Sequence, residues 1–463
     1  MDRPSADPDE VIWKNPTMMF ERSALIEATG ATAAVGPADA SPVVSFSIDS
    51  RRTERDACFV ALRAERDGHD FVAAAHAAGA AVAIVDHVVE GVAGVGDGSA
   101  VLQIVVPDTI DALAAIGRAA RARLAVPVVG VTGSVGKTST KDLLAAIYRS
   151  VGPATASERS LNNELGLPLT LANADPASLR VVVEMGARGA GHIRHLCEIA
   201  DPTVGVVTSV AAAHTEAFGD LAAIAAAKGE LVEWLPATGT AVLNADDPAV
   251  AAMAARTAAA VLTFGSGGDV AAHDVRLDDA LRPSFTMRSP WGTRELHLEV
   301  RGRHNVGNAL AACAAALATG VSLDDLDAIE SAHLSPSRLD VRVSRRGGTV
   351  IDDAYNANPT SMRAALRALS DLPADRRVAV LGVMAELGEG AEAEHAAIAA
   401  EARAAGIEVV AVGTDWYGSA PLDGIDDAIE RLAVPLPGEA VLVKASRVAG
   451  LDRLAAYWCN REE

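Results

Sequence analysis

Along this chain, short Val/Ile runs alternate with longer alanine-rich stretches of helical character. Strand-like and helix-like segments in alternation predict an α/β protein built on parallel sheets. Three segments share the pattern. The first, 1–106, has strands predicted at 59–62 and 81–86 around a helix at 71–78. The second, 107–332, carries strand–helix units from Pro127 onward. Within it, a turn-rich stretch at 265–268 and a polar hairpin-like region at 280–300 read as an insertion. The third, 333–463, opens with a strand at 349–353 and continues through strands at 378–382, 409–413 and 441–444. No repeat with a period of roughly 20–50 residues interrupts this organisation.

Composition narrows the class. With half of its 463 residues hydrophobic, the chain can bury ample core, which excludes a wholly disordered protein. Its 40 Lys+Arg against 61 Asp+Glu leave a net charge of −21. Such a surface is a poor general partner for nucleic acid or anionic membrane. An anionic ligand then requires a local pocket of basic groups or amides. Cys58, Cys197, Cys313 and Cys459 are scattered, with no CxxC pair, so neither a disulfide framework nor a zinc ribbon is indicated. The opening MDRPSADPDE is acidic, unlike a signal peptide. The longest apolar stretch, 71–85, falls short of the roughly 20 residues that span a bilayer. The expectation is a cytoplasmic protein with no membrane insertion.

The strongest chemical signal is the run from Val128 to Ser139. A β-branched strand feeds a glycine-rich turn, Gly133-Ser134-Val135-Gly136, and then Lys137-Thr138-Ser139. A helix follows with Leu143, Leu144, Ile147 and Tyr148 on one face. Such a turn lets backbone N–H groups surround a phosphate at a helix N-terminus. Lys137 adds a positive charge and Thr138 a hydroxyl for Mg²⁺. Glycines stand at 130, 133 and 136, a variant of the strict phosphate-loop spacing.

In open α/β sheets, ligands bind beyond the carboxyl ends of strands. Glu184 ends the strand predicted at 180–183, where it could orient Mg²⁺ or cap a helix. His214 follows the strand at 204–207, suited to a metal, a phosphate or a structural hydrogen bond. Lys228 lies on an alanine-rich helix and by itself reads as a solvated lysine. Asn244, after the strand at 240–243, could read a base or ribose or form an Asx turn. Asn305 and Asn308 share a helix face, one able to cap the helix while the other faces a ligand.

Together these motifs resemble the Mur ligases of peptidoglycan assembly, over nearly the whole chain. Ile48-Asp49-Ser50-Arg51 and Asp67-Gly68-His69-Asp70 are similar to the family's N-terminal UDP-sugar domain. The run 132–139 is similar to its ATP loop, and Asn162-Asn163-Glu164-Leu165-Gly166 to its substrate loop. Glu184-Met185-Gly186-Ala187, Ala213-His214 and Ala227-Lys228-Gly229-Glu230 match the central domain. The run 352–359, DDAYNANP, and Leu442-Val443-Lys444-Ala445-Ser446-Arg447 match the C-terminal domain.

The resemblance implies three domains: a UDP-sugar domain, a central P-loop parallel-sheet ATPase domain, and a C-terminal Rossmann-like α/β domain for the incoming amine. It implies ATP and Mg²⁺, with Thr138, Glu184 and His214 on the metal. It makes Lys137, His214 and Lys228 catalytic, and Lys228 carbamylated by CO₂. Asn244 and Asn305 become adenine-side contacts, Asp353 a ribose contact and Arg338 a phosphate contact. Ser50, Arg51, Asn162, Asn163, Tyr355 and Asn356 become substrate contacts. The implied reaction joins D-alanyl-D-alanine to the terminal carboxylate of UDP-N-acetylmuramoyl-tripeptide through an acyl phosphate, in a monomer. Two other readings stay open. One is a ligase of the same architecture that adds a single amino acid; the other is a nucleotide-binding regulatory module. Three places depart from the family pattern: the run Val207-Thr208-Ser209-Val210, where Asn is usual, Ser337 in place of Gly before Arg338, and Val383 in place of an acidic residue.

Overall fold

The structure, a computed structural model, describes residues 18–38, 41–92, 101–211, 218–385 and 387–460. It is an α/β fold with several parallel sheets. The chain divides into two compact units.

The first unit takes in the chain to Val126 together with Pro153–Thr155 and Glu164–Val181. Its sheet has the order β1-β5-β4-β3-β2. The strands are β1 (Ala33–Val35), β2 (Ser45–Ser47), β3 (Ala57–Val60), β4 (Ala80–Val85) and β5 (Leu102–Val105). β3 and β4 are the strands expected at 59–62 and 81–86. β3 stops at Val60 because the chain turns there: Gly68 N–H donates to Leu62 O at 2.8 Å, and no Cβ fits at Gly68, 2.5 Å from Leu62 N. β1 is fully exposed and β2 carries one phenylalanine between serines, so neither shows an apolar period.

Three further sheets follow. In chain order the strands of the largest are β6 (Val128–Thr132), β7 (Ala154–Ala156), β8 (Arg180–Glu184), β9 (Val204–Val207), β10 (Thr240–Asn244) and β11 (Ala260–Phe264). They lie in the order β11-β10-β9-β6-β8-β7. β6 and β9 are buried along their whole length, as their unbroken apolar runs require. The chain leaves β6 toward β8 on one side and returns to β9 on the other. The carboxyl end of β6 is therefore a topological switch point, where open α/β sheets place ligands.

The expected insertion is a small antiparallel sheet: β12 (Ala271–Leu277), β13 (Pro283–Ser289) and β14 (Gly292–His297). β13 and β14 are the hairpin foreseen at 280–300, and β12 adds a third strand. The last sheet has the order β15-β16-β19-β17-β18. Its strands are β15 (Asp340–Val343), β16 (Thr349–Asp352), β17 (Arg376–Leu381), β18 (Glu408–Ala411) and β19 (Glu439–Lys444), and only β15 is antiparallel. The cysteines are free, and three are buried. Among the described residues, no helix is long and apolar enough to cross a membrane.

Candidate active site

The site is built from the loop after β6 upward. The helix Lys137–Ser150 begins at Gly136, whose φ of +87° favours glycine, and no side chain caps its first turn. Leu143, Leu144, Ile147 and Tyr148 are all buried, so the apolar face anchors the helix. It packs against the helix His304–Ala318. Its open N–H groups face the loop, the arrangement that receives phosphate.

The end of β9 braces that loop. Ser134 N–H donates to Ser209 O at 2.8 Å, and Val135 N–H to Ser209 Oγ at 3.1 Å. Thr208 Oγ1 donates to Val135 O at 2.6 Å. Ser134 Oγ donates to Ala211 O and accepts from Ala211 N–H. The amides of Ser134 and Val135 thus serve the brace, which corrects the expectation that the whole turn cradles phosphate. The amides of the helix's first turn, Lys137, Thr138 and Ser139, remain for that role. Thr208 and Ser209, within the run that departs from the family pattern, are the bracing residues.

Gly133 carries a testable consequence. Its φ is +146°, and a Cβ there would lie 1.9 Å from Thr208 Oγ1. Gly133→Ala is expected to destabilise the protein by about 1–3 kcal/mol through backbone strain. By displacing the loop it should also raise KM for ATP at least about tenfold. Thermal denaturation and ATP titration of turnover check this, and unchanged values in both would refute it.

Lys137 Nζ donates to Gly133 O at 2.7 Å and Ser134 O at 3.4 Å. Burial holds its pKa below the ordinary lysine value. Glu184 pulls it up and Arg338 pushes it down, so both groups lie within electrostatic reach. Glu184 ends β8 fully buried and is no helix cap. Its Oε2 accepts from Thr138 Oγ1 at 2.7 Å and its Oε1 from Asn162 Nδ2 at 2.8 Å. Hydroxyl and carboxylate oxygens meeting beside a phosphate loop, with the carboxylate held by the Asn162 amide N–H, are the hard donors that suit Mg²⁺.

Lys228, on the helix Leu221–Trp234, is not the solvated lysine its surroundings in sequence suggest. It is 4% exposed. Its pKa is pushed down to about 7, first by burial and then by Lys137. No described residue accepts a hydrogen bond from its Nζ. His214 lies outside the described residues.

The two asparagine sites resolve differently. Asn244 forms the Asx turn: its Oδ1 accepts from Asp246 N–H at 2.9 Å and its Nδ2 donates to Thr208 O at 2.7 Å. Asn305 is buried, and its Nδ2 donates to Arg301 O at 2.8 Å. Asn308 Nδ2 donates to Asn305 Oδ1 at 2.7 Å. Neither caps the N-terminus of its helix, which corrects the capping reading.

From the third segment, Arg338 Cζ lies 4.4 Å from the centre of the Tyr355 ring. Ser337 before it has a φ of +57°, a strained conformation that glycine would adopt freely. Its Oγ donates to the buried Asp352 carboxylate at 3.0 Å. Asp353 is engaged within the protein: its Oδ2 accepts from Lys444 Nζ at 2.6 Å and its Oδ1 from Leu339 N–H at 3.1 Å. Lys444 also donates to Asn356 O at 2.8 Å, locking the loop after β16. Tyr355 Oη hydrogen-bonds Ser160 Oγ. Asn356 is exposed, its Oδ1 accepting from Ala357 N–H. Asn358 caps the helix Pro359–Asp371 in a reciprocal capping box with Ser361, so the end of the DDAYNANP run is a helix start. Val383 O accepts from Ser446 N–H at 2.9 Å. Asn163 is half-buried.

In the first unit, Ser50 opens a short turn. Arg51 is exposed and forks onto Asp49 at 2.9 and 2.7 Å. Sequence reasoning missed the brace of Thr208 and Ser209, the lock by Lys444, and Asp142. Asp142 accepts from Lys141 Nζ at 2.5 Å and, through its other oxygen, from Ser335 N–H and Oγ. The sequence marked Lys444 as part of a family-like run and Thr208 and Ser209 as part of a departing one, but nothing in it showed what they bond.

Comparison with known proteins follows the same outline. Residues 131–316 match the Mur ligase middle domain, and 337–455 match the Mur ligase glutamate ligase domain. The UDP-N-acetylmuramoyl-tripeptide--D-alanyl-D-alanine ligase of Mycobacterium tuberculosis is 41% identical, covering 92% of this chain and 94% of that relative. The enzyme of the same name from Escherichia coli is 34% identical, covering 89% and 92%. Among solved structures, MurF from Acinetobacter baumannii superposes with a TM-score of 0.85 at 30% identity, covering 96% of this chain and all of that one. MurF from Thermotoga maritima in complex with ADP gives 0.75 at 28% identity, covering 89% and 96%.

Proposed function

The chain belongs to the Mur ligase family, and from that premise we propose that it joins D-alanyl-D-alanine to the terminal carboxylate of UDP-N-acetylmuramoyl-tripeptide at the expense of ATP. The observation that carries the reading is the Thr138–Glu184–Asn162 cluster beside the phosphate loop, with Lys137 and Lys228 close by.

A carboxylate does not accept an amine directly, because its leaving group would be oxide. Transfer of the γ-phosphoryl group to the acid makes an acyl phosphate, whose leaving group is phosphate. The obstacle is electrostatic. Two like charges about 4 Å apart repel by about 4 kcal/mol at an effective dielectric of 20. Lys137, Arg338 and the first-turn amides would offset that repulsion. Thr138 and Glu184 would hold Mg²⁺ together with His214. When bound, the ion supplies charge neutralisation at the phosphates. Asn162 fixes the Glu184 carboxylate for that task.

Lys228 fits carbamylation. As an ammonium it is buried beside a second cation. As a neutral amine it can attack CO₂, forming an N–C bond and releasing one proton to solvent. The resulting anion is attracted to Lys137. Asn244, Asn305 and Asp353 would border the nucleoside, and Ser50, Arg51, Asn163, Tyr355 and Asn356 the two other substrates. We further assign three domains at 1–106, 107–332 and 333–463, a monomer, and a place in the cytoplasm where the UDP-linked precursor is made.

The test is phosphate release with each candidate acceptor and amine in pairwise combination, with the product identified by mass. Release is expected only when the tripeptide acceptor and D-alanyl-D-alanine are both present. Preference for a single amino acid would overturn the substrate assignment. ATP hydrolysis indifferent to any acceptor would favour a regulatory module instead.

A further inference from the structure

A cavity of about 190 Å³ is lined by residues of the 159–160 turn, the 335–338 segment, Ala354 and Tyr355, and Arg447 and Asp452. Three arginines line it, Arg159, Arg338 and Arg447. Two of them share one ring: Arg338 Cζ lies 4.4 Å and Arg447 Cζ 5.5 Å from the centre of Tyr355. Acidic groups outnumber basic ones in this chain, 61 to 40, and many arginines elsewhere take carboxylate partners. Arg63, Arg294, Arg363 and Arg376 each form two or more ion pairs. None of the three arginines at the cavity forms one among the described residues, and Arg338 Nε is buried without a hydrogen-bond partner. Arginines without ion pairs lining one cavity make it a receptor for an anion.

The lining also limits which anion. Asp452 borders the same space, and Pro336 and Ala354 add apolar surface. A carboxylate on the rim repels a polyanion such as a triphosphate. A ligand with one negative charge and small apolar side chains meets the lining better. Arg338, within electrostatic reach of Lys137, marks the phosphate side. Arg447 is exposed and belongs to the third segment.

We propose that this cavity receives the free carboxylate end of the incoming dipeptide, with Arg447 as its anchor. The assignment rests on the ligase reading above and deepens it. An anchor at a set distance from the acyl phosphate measures the length of the amine substrate. A single amino acid carries its carboxylate nearer its amine by one residue, about 3.3–3.6 Å of extended chain. It could not reach the anchor and the acyl phosphate together. Arg447 is thereby a specificity residue for a dipeptide.

The experiment is a cycle on the full-length enzyme that removes each half of the pair. Wild type, Arg447→Ala and Arg447→Lys are each assayed with D-alanyl-D-alanine and with its C-terminal amide. With the free dipeptide, Arg447→Ala is expected to raise KM for the amine by about tenfold to a hundredfold. KM for ATP and for the acceptor should be unchanged, and Arg447→Lys should fall between. Wild type should lose as much when the substrate is amidated, and Arg447→Ala should lose nothing further. Additive losses would overturn the proposal. So would a raised KM for ATP, which would make the cavity a phosphate site. If wild type ligates a different amine and not the dipeptide, the ligase reading itself fails, before the variants are compared.

Discussion

Lys137→Ala is expected to lower ligation turnover by roughly a hundred- to a thousandfold, the scale of losing one preorganised charge at a reacting centre. The brace explains why so much rests on this side chain. The amides of Ser134 and Val135 are bonded to Ser209, so they do not share the phosphate charge. On the proposed reading that charge falls on the first-turn amides, Lys137 and Arg338. The fold should survive the change. Lys137 donates only to two carbonyls of its own loop, and such bonds contribute about 0.5–1.5 kcal/mol net each. Steady-state kinetics with thermal denaturation separates the two effects. Turnover within about threefold of wild type would reject the role of Lys137, whereas a collapsed melting transition would reassign it to folding.

The parts of the fold legible in the sequence are those with long apolar runs. β6, β9 and β19 are buried along nearly their full length, and nothing but a central strand accommodates such a run. The short edge strands were not legible. β1 and β7 have three residues each and no fully buried position. A three-residue edge strand is selected by its neighbour's hydrogen bonds and leaves no period to read.

The candidate site was legible where chemistry demands a residue type at a fixed offset. Lys137, Thr138 and Glu184 come together as their places after β6 and at the end of β8 require. Lys228 was not legible from its surroundings, since an alanine-rich stretch looks the same whether its lysine is solvated or buried. Only the packing of its helix decides, and the family resemblance supplied what local pattern could not. Asn358 shows the reverse. Within a motif that reads as substrate-binding, it is a capping residue. Ser337 shows a third case: a serine held at a positive φ that glycine favours, with its hydroxyl tied to Asp352.

Lys228 supports the other large effect, because activity and stability should move in opposite directions there. A lysine with an ordinary pKa near 10.4 is almost wholly charged at neutral pH, whereas at about 7 half of its molecules are neutral amine, the form that captures CO₂. Wild-type activity should therefore fall in CO₂-depleted buffer and return with bicarbonate. The return should be larger at pH 8 than at pH 6, as the neutral fraction grows. The sign for stability follows from proton binding. Between about pH 7 and the unfolded value, the unfolded chain binds more protons than the folded one, so stability of the uncarbamylated protein rises with pH across that window. Below pH 7 this group adds no further slope. Lys228→Met removes the burial cost of the amine. It should raise the melting temperature at pH 7 while abolishing ligation, and bicarbonate should no longer alter either property. A ¹³C-bicarbonate NMR experiment should show a carbamate resonance in wild type and none in Lys228→Met. Full activity in CO₂-free buffer, or a Lys228→Met enzyme that still ligates, would exclude a carbamate at this position.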